Sequence, residues 1–216
     1  MKFKFRFILL AILAIAIFSC SKKSSTGISD PKEFSQYIAS QTSGTIGISE
    51  PIQLMLNFQP TNNSVVPEDI FQFEPSIKGK TEWKDSGLLE FRPEKPMPSG
   101  QTYLVRVDLG KITKLPNGKR YYTFQFKTID ANYSLEIGAT RSYLAGNELK
   151  VSINGTVSTS DVFENTLIEK MVHAYQNGNE LPVGWTHQER AKQHQFQVDD
   201  IKRGKEAGKV KLVWDG

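Results

Sequence analysis

From about residue 45 onward the chain alternates apolar and polar residues with a period of two, and Pro, Gly and Asn break the alternation at short intervals. Successive side chains of a strand point to opposite faces, so this pattern builds half-buried β-strands and excludes long amphipathic helices. In Thr45 to Phe58 the inward candidates are Ile46, Ile48, Ile52, Leu54, Leu56 (or Met55) and Phe58. Glu68 to Ile77 alternates around Ile70, Phe71 and Phe73 and stops at Pro75. Lys80 to Trp83, a turn at Asp85-Ser86-Gly87 and Leu88 to Pro93 come next. Gln101 to Leu109 then places Tyr103, Val105 and Val107 on one face. After a turn at Pro116-Asn117-Gly118, Tyr121 to Ile129 puts Tyr122, Phe124 and Phe126 in register. Five or six short β-branched or aromatic strands with such turns predict an antiparallel sandwich over residues 45–129.

A second β-unit is expected over residues 130–216. Tyr133 to Ile137 and Glu148 to Val157 alternate again, and Val172 to Tyr175 reads as a strand before the turn residues Gln176 to Asn179. Gln195 to Val198 and Lys209 to Trp214 supply the last strands. Val162 to Met171 instead spaces its apolar residues Phe163, Leu167, Ile168 and Met171 for one or two helical turns. About five strands leave this sandwich unclosed, so it is expected to be truncated and the chain to be the first portion of a longer one. The fold class is thus all-β, with two consecutive sandwiches.

The residues before 45 read differently. Lys2, Lys4 and Arg6 precede the apolar run Phe7 to Phe18, which ends at Ser19-Cys20. A basic start, a short apolar stretch and a small residue before the break mark residues 1–19 as a secretory signal peptide. Twelve residues span about 18 Å as a helix, against a hydrocarbon core of roughly 30 Å, which disfavours a transmembrane anchor. Residues 20–44 are polar and read as a tether. Within it, Ser29-Asp30-Pro31 is a helix start signal that allows Phe34, Tyr37 and Ile38 one turn.

The leader also explains the charge. The chain carries 27 Lys+Arg against 23 Asp+Glu. Removing residues 1–19 takes away three positive charges, so the excess of four falls to one. No uncompensated basic stripe remains for nucleic acid.

Little in the sequence supports chemistry. The single cysteine excludes an intramolecular disulfide and a cysteine-cluster zinc site. His187 and His194 lack metal-ligand spacing and read as surface-loop residues. Asp199-Asp200 and the Asp161/Glu164 pair are expected to make turns rather than general acid/base catalysis. No Gly-rich phosphate loop, HExxH or GxSxG is present. No catalytic residue, metal or cofactor is expected, and the chain is read as no enzyme. Trp83, flanked by Lys80, Glu82 and Lys84, and Trp185, in Leu181-Pro182-Val183-Gly184-Trp185, are the candidate contact residues, with core packing as the competing account.

Two resemblances add to this. Ile17-Phe18-Ser19-Cys20 resembles a bacterial lipobox, with the bulky Phe18 departing from the usual pattern. The resemblance implies that Cys20 is acylated and holds the protein on a membrane. Ser21-Lys22-Lys23-Ser24-Ser25 carries no acidic tract, which leans towards a periplasm-facing anchor in the bacterial envelope. Phe73-Glu74-Pro75, Ile77-Lys78-Gly79, Trp83, Leu89 to Pro93, Lys95 to Tyr103, Asn117-Gly118 and Tyr122 to Thr128 resemble a bacterial immunoglobulin-like envelope domain.

Together with Thr159-Ser160-Asp161, Ile168-Glu169-Lys170 and Leu212 to Gly216, these segments resemble the amino-terminal region of Bacteroidetes-type α2-macroglobulin-like lipoproteins. That resemblance implies a second, macroglobulin-type sandwich and a framework role in trapping proteases. The protease partners would act on regions beyond this chain, because no Cys-x-Glu-Gln thioester motif is present: Cys20 is followed by Ser21-Lys22-Lys23. The alternative is an envelope adhesion or glycan-binding lipoprotein, with Trp185 or Trp83 at its contact surface.

Overall fold

The computed structural model describes residues 27–60, 65–85, 87–203 and 208–216. The expected signal peptide, Cys20 and the first part of the expected tether lie outside the described residues.

The chain is all-β, folded as two sandwiches in series. The first begins earlier than residue 45. Asp30 caps the short helix α1 (Pro31–Phe34) by accepting the Lys32 N–H at 2.9 Å. Its Phe34 is buried, and β1 (Ile38–Gln41) joins a sheet directly after it. The later half of the expected tether is therefore framework. Polar residues dominate it, but Phe34 and Ile38 reach the core.

The remaining strands of this sandwich are β2 (Thr45–Ile46), β3 (Ile52–Leu56), β4 (Phe71–Glu74), β5 (Gly79–Asp85), β6 (Leu88–Pro93), β7 (Thr102–Asp108) and β8 (Tyr121–Thr128). They form two four-stranded sheets, β1-β3-β6-β5 and β2-β8-β7-β4. All pairs are antiparallel except the short β2–β8 contact, which is parallel. Eight strands replace the expected five or six because a loop at Gly47 to Pro51 splits the run from Thr45 to Phe58 and α1–β1 adds one. Between the sheets lie Ile52, Leu54, Leu89, Val105, Val107, Tyr122 and Phe126, all essentially without exposure. The alternation of β3 and β7 is the cause, and each such side chain stabilises by roughly 1.5–3 kcal/mol.

The second sandwich has seven strands among the described residues, where about five were expected. They are β9 (Tyr133–Ala145), β10 (Glu148–Thr159), β11 (Val172–Gln176), β12 (Asn179–Leu181), β13 (Val183–Gln188), β14 (Gln193–Lys202) and β15 (Val210–Trp214). The larger sheet runs β13-β14-β10-β9, and β12-β11-β15 covers it. Helix α2 (Asn165–Glu169) carries the chain from one sheet to the other and buries Ile168. The β11–β12 hairpin turns through Asn177 and Gly178, both at positive φ, the requirement of a tight two-residue turn. Strands β12 and β13 escaped the sequence reading because Leu181-Pro182-Val183 resembles a loop.

Candidate functional site

Where one sandwich meets the other, a carboxylate hydrogen-bonds across. Asp161 follows β10, and its Oδ2 accepts the N–H of Ile48, in the β2–β3 loop, at 2.7 Å. Its Oδ1 accepts the Val162 N–H at 2.8 Å, and Lys192 Nζ stands 3.8 Å away. The preceding Ser160 donates its hydroxyl to the Asp130 carbonyl and accepts the Asn132 N–H, so the linker between the sandwiches is bonded to the same corner. Asp161 is thus a structural anchor. Sequence reasoning made it a turn residue, which it also is, and missed its partner 113 positions away.

Asp199 and Asp200 lie within β14 rather than in a turn. Asp200 pairs with Lys150 at 2.6 Å, and this ammonium holds its carboxyl below the usual range. Asp199 accepts the Gln197 side-chain amide. In the first sandwich, buried Asp108 takes Arg120 through two hydrogen bonds of 2.9 and 3.0 Å. The Arg120 bonds, more than Lys111 or the Gly110 N–H, outweigh burial and depress the Asp108 pKa. Glu90, almost fully buried, binds Arg92 at 2.7 Å and the Gln53 side-chain amide at 2.7 Å.

Both candidate tryptophans lean on a core. Trp83 sits on the edge strand β5, half-buried and packed against the first core, with its flanking Glu82 and Lys84 paired on the opposite, outer face. Trp185 on β13 packs against Phe196 at 5.6 Å and stacks on the His187 ring at 5.9 Å. On the face of the larger sheet that turns away from this core, residue 185 also borders an open groove of about 530 Å³. Glu136, Asn154, Thr156, Gln195 and Gln197 line that groove, so it offers amides, hydroxyls and one carboxylate. These residues are the outward positions of alternating strands, which a search for catalytic motifs passes over.

The histidine reading needs correction. His187 and His194 lie on β13 and β14, directly opposite each other, and not in a surface loop. His194 is 1% exposed, and the two Nδ1 atoms are 2.8 Å apart. Neighbouring polar residues suggested a loop, but they occupy the outward face of strands whose inward face holds the histidines. Among the described residues, no three His, Cys, Asp or Glu side chains converge to hold a metal ion.

Comparison with known proteins agrees with the fold and adds a partial kinship. The family model "Bacterial Ig domain" matches residues 19–113. Over 50 residues the chain is 42% identical to the α2-macroglobulin of Pasteurella multocida (strain Pm70). That stretch is 23% of this chain and 2% of the relative, so the chain spans only a small fraction of the relative's length. Among solved structures, L,D-transpeptidase 3 of Mycobacterium tuberculosis is 17% identical with a TM-score of 0.34, over 71% of this chain and 59% of that one. An L,D-transpeptidase of Mycobacterium smegmatis is 12% identical with a TM-score of 0.32, over 69% and 64%. Superpositions this loose carry no argument about activity. The chain therefore holds an Ig-like region with partial sequence kinship to bacterial α2-macroglobulin. Among the described residues no helix is long and apolar enough to cross a membrane.

Proposed function

We propose that this chain is the membrane-anchored framework segment of an α2-macroglobulin-like, protease-trapping envelope protein. The 42% identity over 50 residues to a bacterial α2-macroglobulin is the observation that carries the reading. Two sandwiches in series, hydrogen-bonded at Asp161, suit a part that transmits movement and does no chemistry itself. On this reading acylated Cys20 holds the framework at the periplasmic face of a membrane, and proteases engage regions outside residues 1–216. The segment itself is no enzyme.

The test uses the product of the whole reading frame, mixed with a broad-specificity endopeptidase and passed over a sizing column. Co-elution of the protease with a cleaved chain is expected. A chain that is degraded while the protease elutes free would overturn the trapping role. Anchoring is tested separately by labelled palmitate: Cys20→Ala loses the label, and persistent labelling excludes Cys20 as the acylation site. Binding on a glycan array that disappears with Trp185→Ala would replace the framework reading with an adhesion one.

A further inference from the structure

The second sandwich contains a proton-sensitive arrangement that its role as framework does not require. Glu169, the last residue of α2, accepts from His187 Nε2 at 3.1 Å. An ionised carboxylate only accepts, so Nε2 of His187 carries a hydrogen and Nδ1 of the neutral ring holds a lone pair. His194 Nδ1, 2.8 Å away, is then the donor. What remains is His194 Nε2, buried and without a partner. As a lone pair it needs no acceptor.

Any proton added to this chain of bonds spoils it at the same atom. If His194 takes the proton, both its nitrogens bear hydrogens and Nε2–H faces the core unpaired. If His187 takes it, His194 must accept at Nδ1, and its own hydrogen moves to Nε2 with the same result. A second proton sets two N–H groups against each other across 2.8 Å. An unpaired buried donor is among the costlier defects a core can hold. We propose that His187 and His194 form an acid-sensitive pin, closed when both rings are neutral, that fastens the β13–β14 corner and the end of α2 to the second core.

The surroundings favour the neutral form. Burial, and next the His187 charge, push the His194 pKa down, while Glu189 after β13 opposes them. Glu189 is exposed and is engaged by the Asn165 side-chain amide at 3.1 Å. Glu169 faces the outer ring, and the exposed Lys170 and Arg190 follow the two glutamates in sequence. Lys192 reaches away, to the Ser160 carbonyl at 2.9 Å. From the covering sheet come His173 and Glu180, paired at 3.1 Å, and that pair works in the opposite sense because Glu180 raises the His173 pKa. On β10, Val157 lies opposite His194 and brings no charge.

A depressed histidine pKa leaves the folded state fully favoured above the unfolded value of about 6.5, and the advantage shrinks as pH falls below it. Imidazole-resolved NMR on the chain should find His194 in the Nδ1–H form and neutral at pH 6. Between pH 7 and 5, amide exchange at the ends of β13 and β14 should rise, and Tm in a His173→Gln background should fall by at least about 4 °C. His194→Phe, or His187→Gln if the former does not fold, should flatten that fall. A His194 ring titrating at the ordinary value, or an equal loss of Tm with the pair removed, would overturn the proposal.

Discussion

The two sandwiches share an architecture and differ in what fills them. The first packs Phe34, Phe71, Phe91, Tyr103, Tyr122, Phe124 and Phe126 into one buried cluster with eleven further apolar residues. In the second, Phe196 is the one aromatic ring among eight fully buried residues of the described core, and the rest of its apolar surface is half-exposed. Aromatic rings bury more area than any other side chain, so the first unit carries far more hydrophobic stabilisation per strand. Polar groups are treated differently as well. The first sandwich buries carboxylates, Glu90 and Asp108, each against an arginine. The second buries a histidine, His194, whose pKa burial pushes down. A small core with a titratable group at its corner marks the second unit as the part that yields first.

Phe196→Ala should break the comparison hardest. Removing the ring that Gly155 and Trp185 both contact should cost about 3–5 kcal/mol. Calorimetry should then show a low transition for the second sandwich with the upper one unmoved. A single transition shifting as a whole would mean that the units melt together.

Asp161→Ala addresses the bond between them. Losing a hydrogen bond to a charged acceptor should cost about 1.5–3 kcal/mol. Exchange of the Ile48 amide should rise while the cores keep their own protection. Gly155→Ala should cost about 1–3 kcal/mol, because an added Cβ would lie 2.4 Å from the Phe196 ring and 2.6 Å from the Glu136 carbonyl. Its effect should be confined to the second transition.

Acid is the mildest probe and has no effect in neutral buffer. Arg120 holds the Asp108 pKa below its unfolded value, so that contribution is intact above pH 3.8 and is lost as pH falls through the lower folded value. His194 begins to count against folding already below its unfolded value of 6.5. Circular dichroism and fluorescence followed from pH 7 to 3 should therefore show the second sandwich loosening before the first. The reverse order would invert the comparison.

Much of the first sandwich was readable in advance. Tyr103, Val105, Val107, Tyr122, Phe124 and Phe126 stand where the period of two places them. Less of the second was, for identifiable reasons. Its β9 extends past Ile137 through Gly138 to Ala145, where few apolar residues mark the alternation, and Ile137 and Leu144 are exposed. The polar groove had no motif to announce it. The helical turn holding Phe34 was marked by its start signal, but its place in the core was not, because the average composition of the segment is that of a tether.

The chain's own sequence determined the strand periodicity, the turns and the aromatic wealth of the first core, because each is a local property of neighbouring residues. Only the tertiary structure decided that Asp161 meets Ile48, that Asp108 meets Arg120 across a turn, and that two histidines seven apart face each other in the second core. Such pairings depend on which strands lie side by side and which faces turn inward. A hydrogen bond of 2.7 or 2.8 Å exists only once that geometry is set.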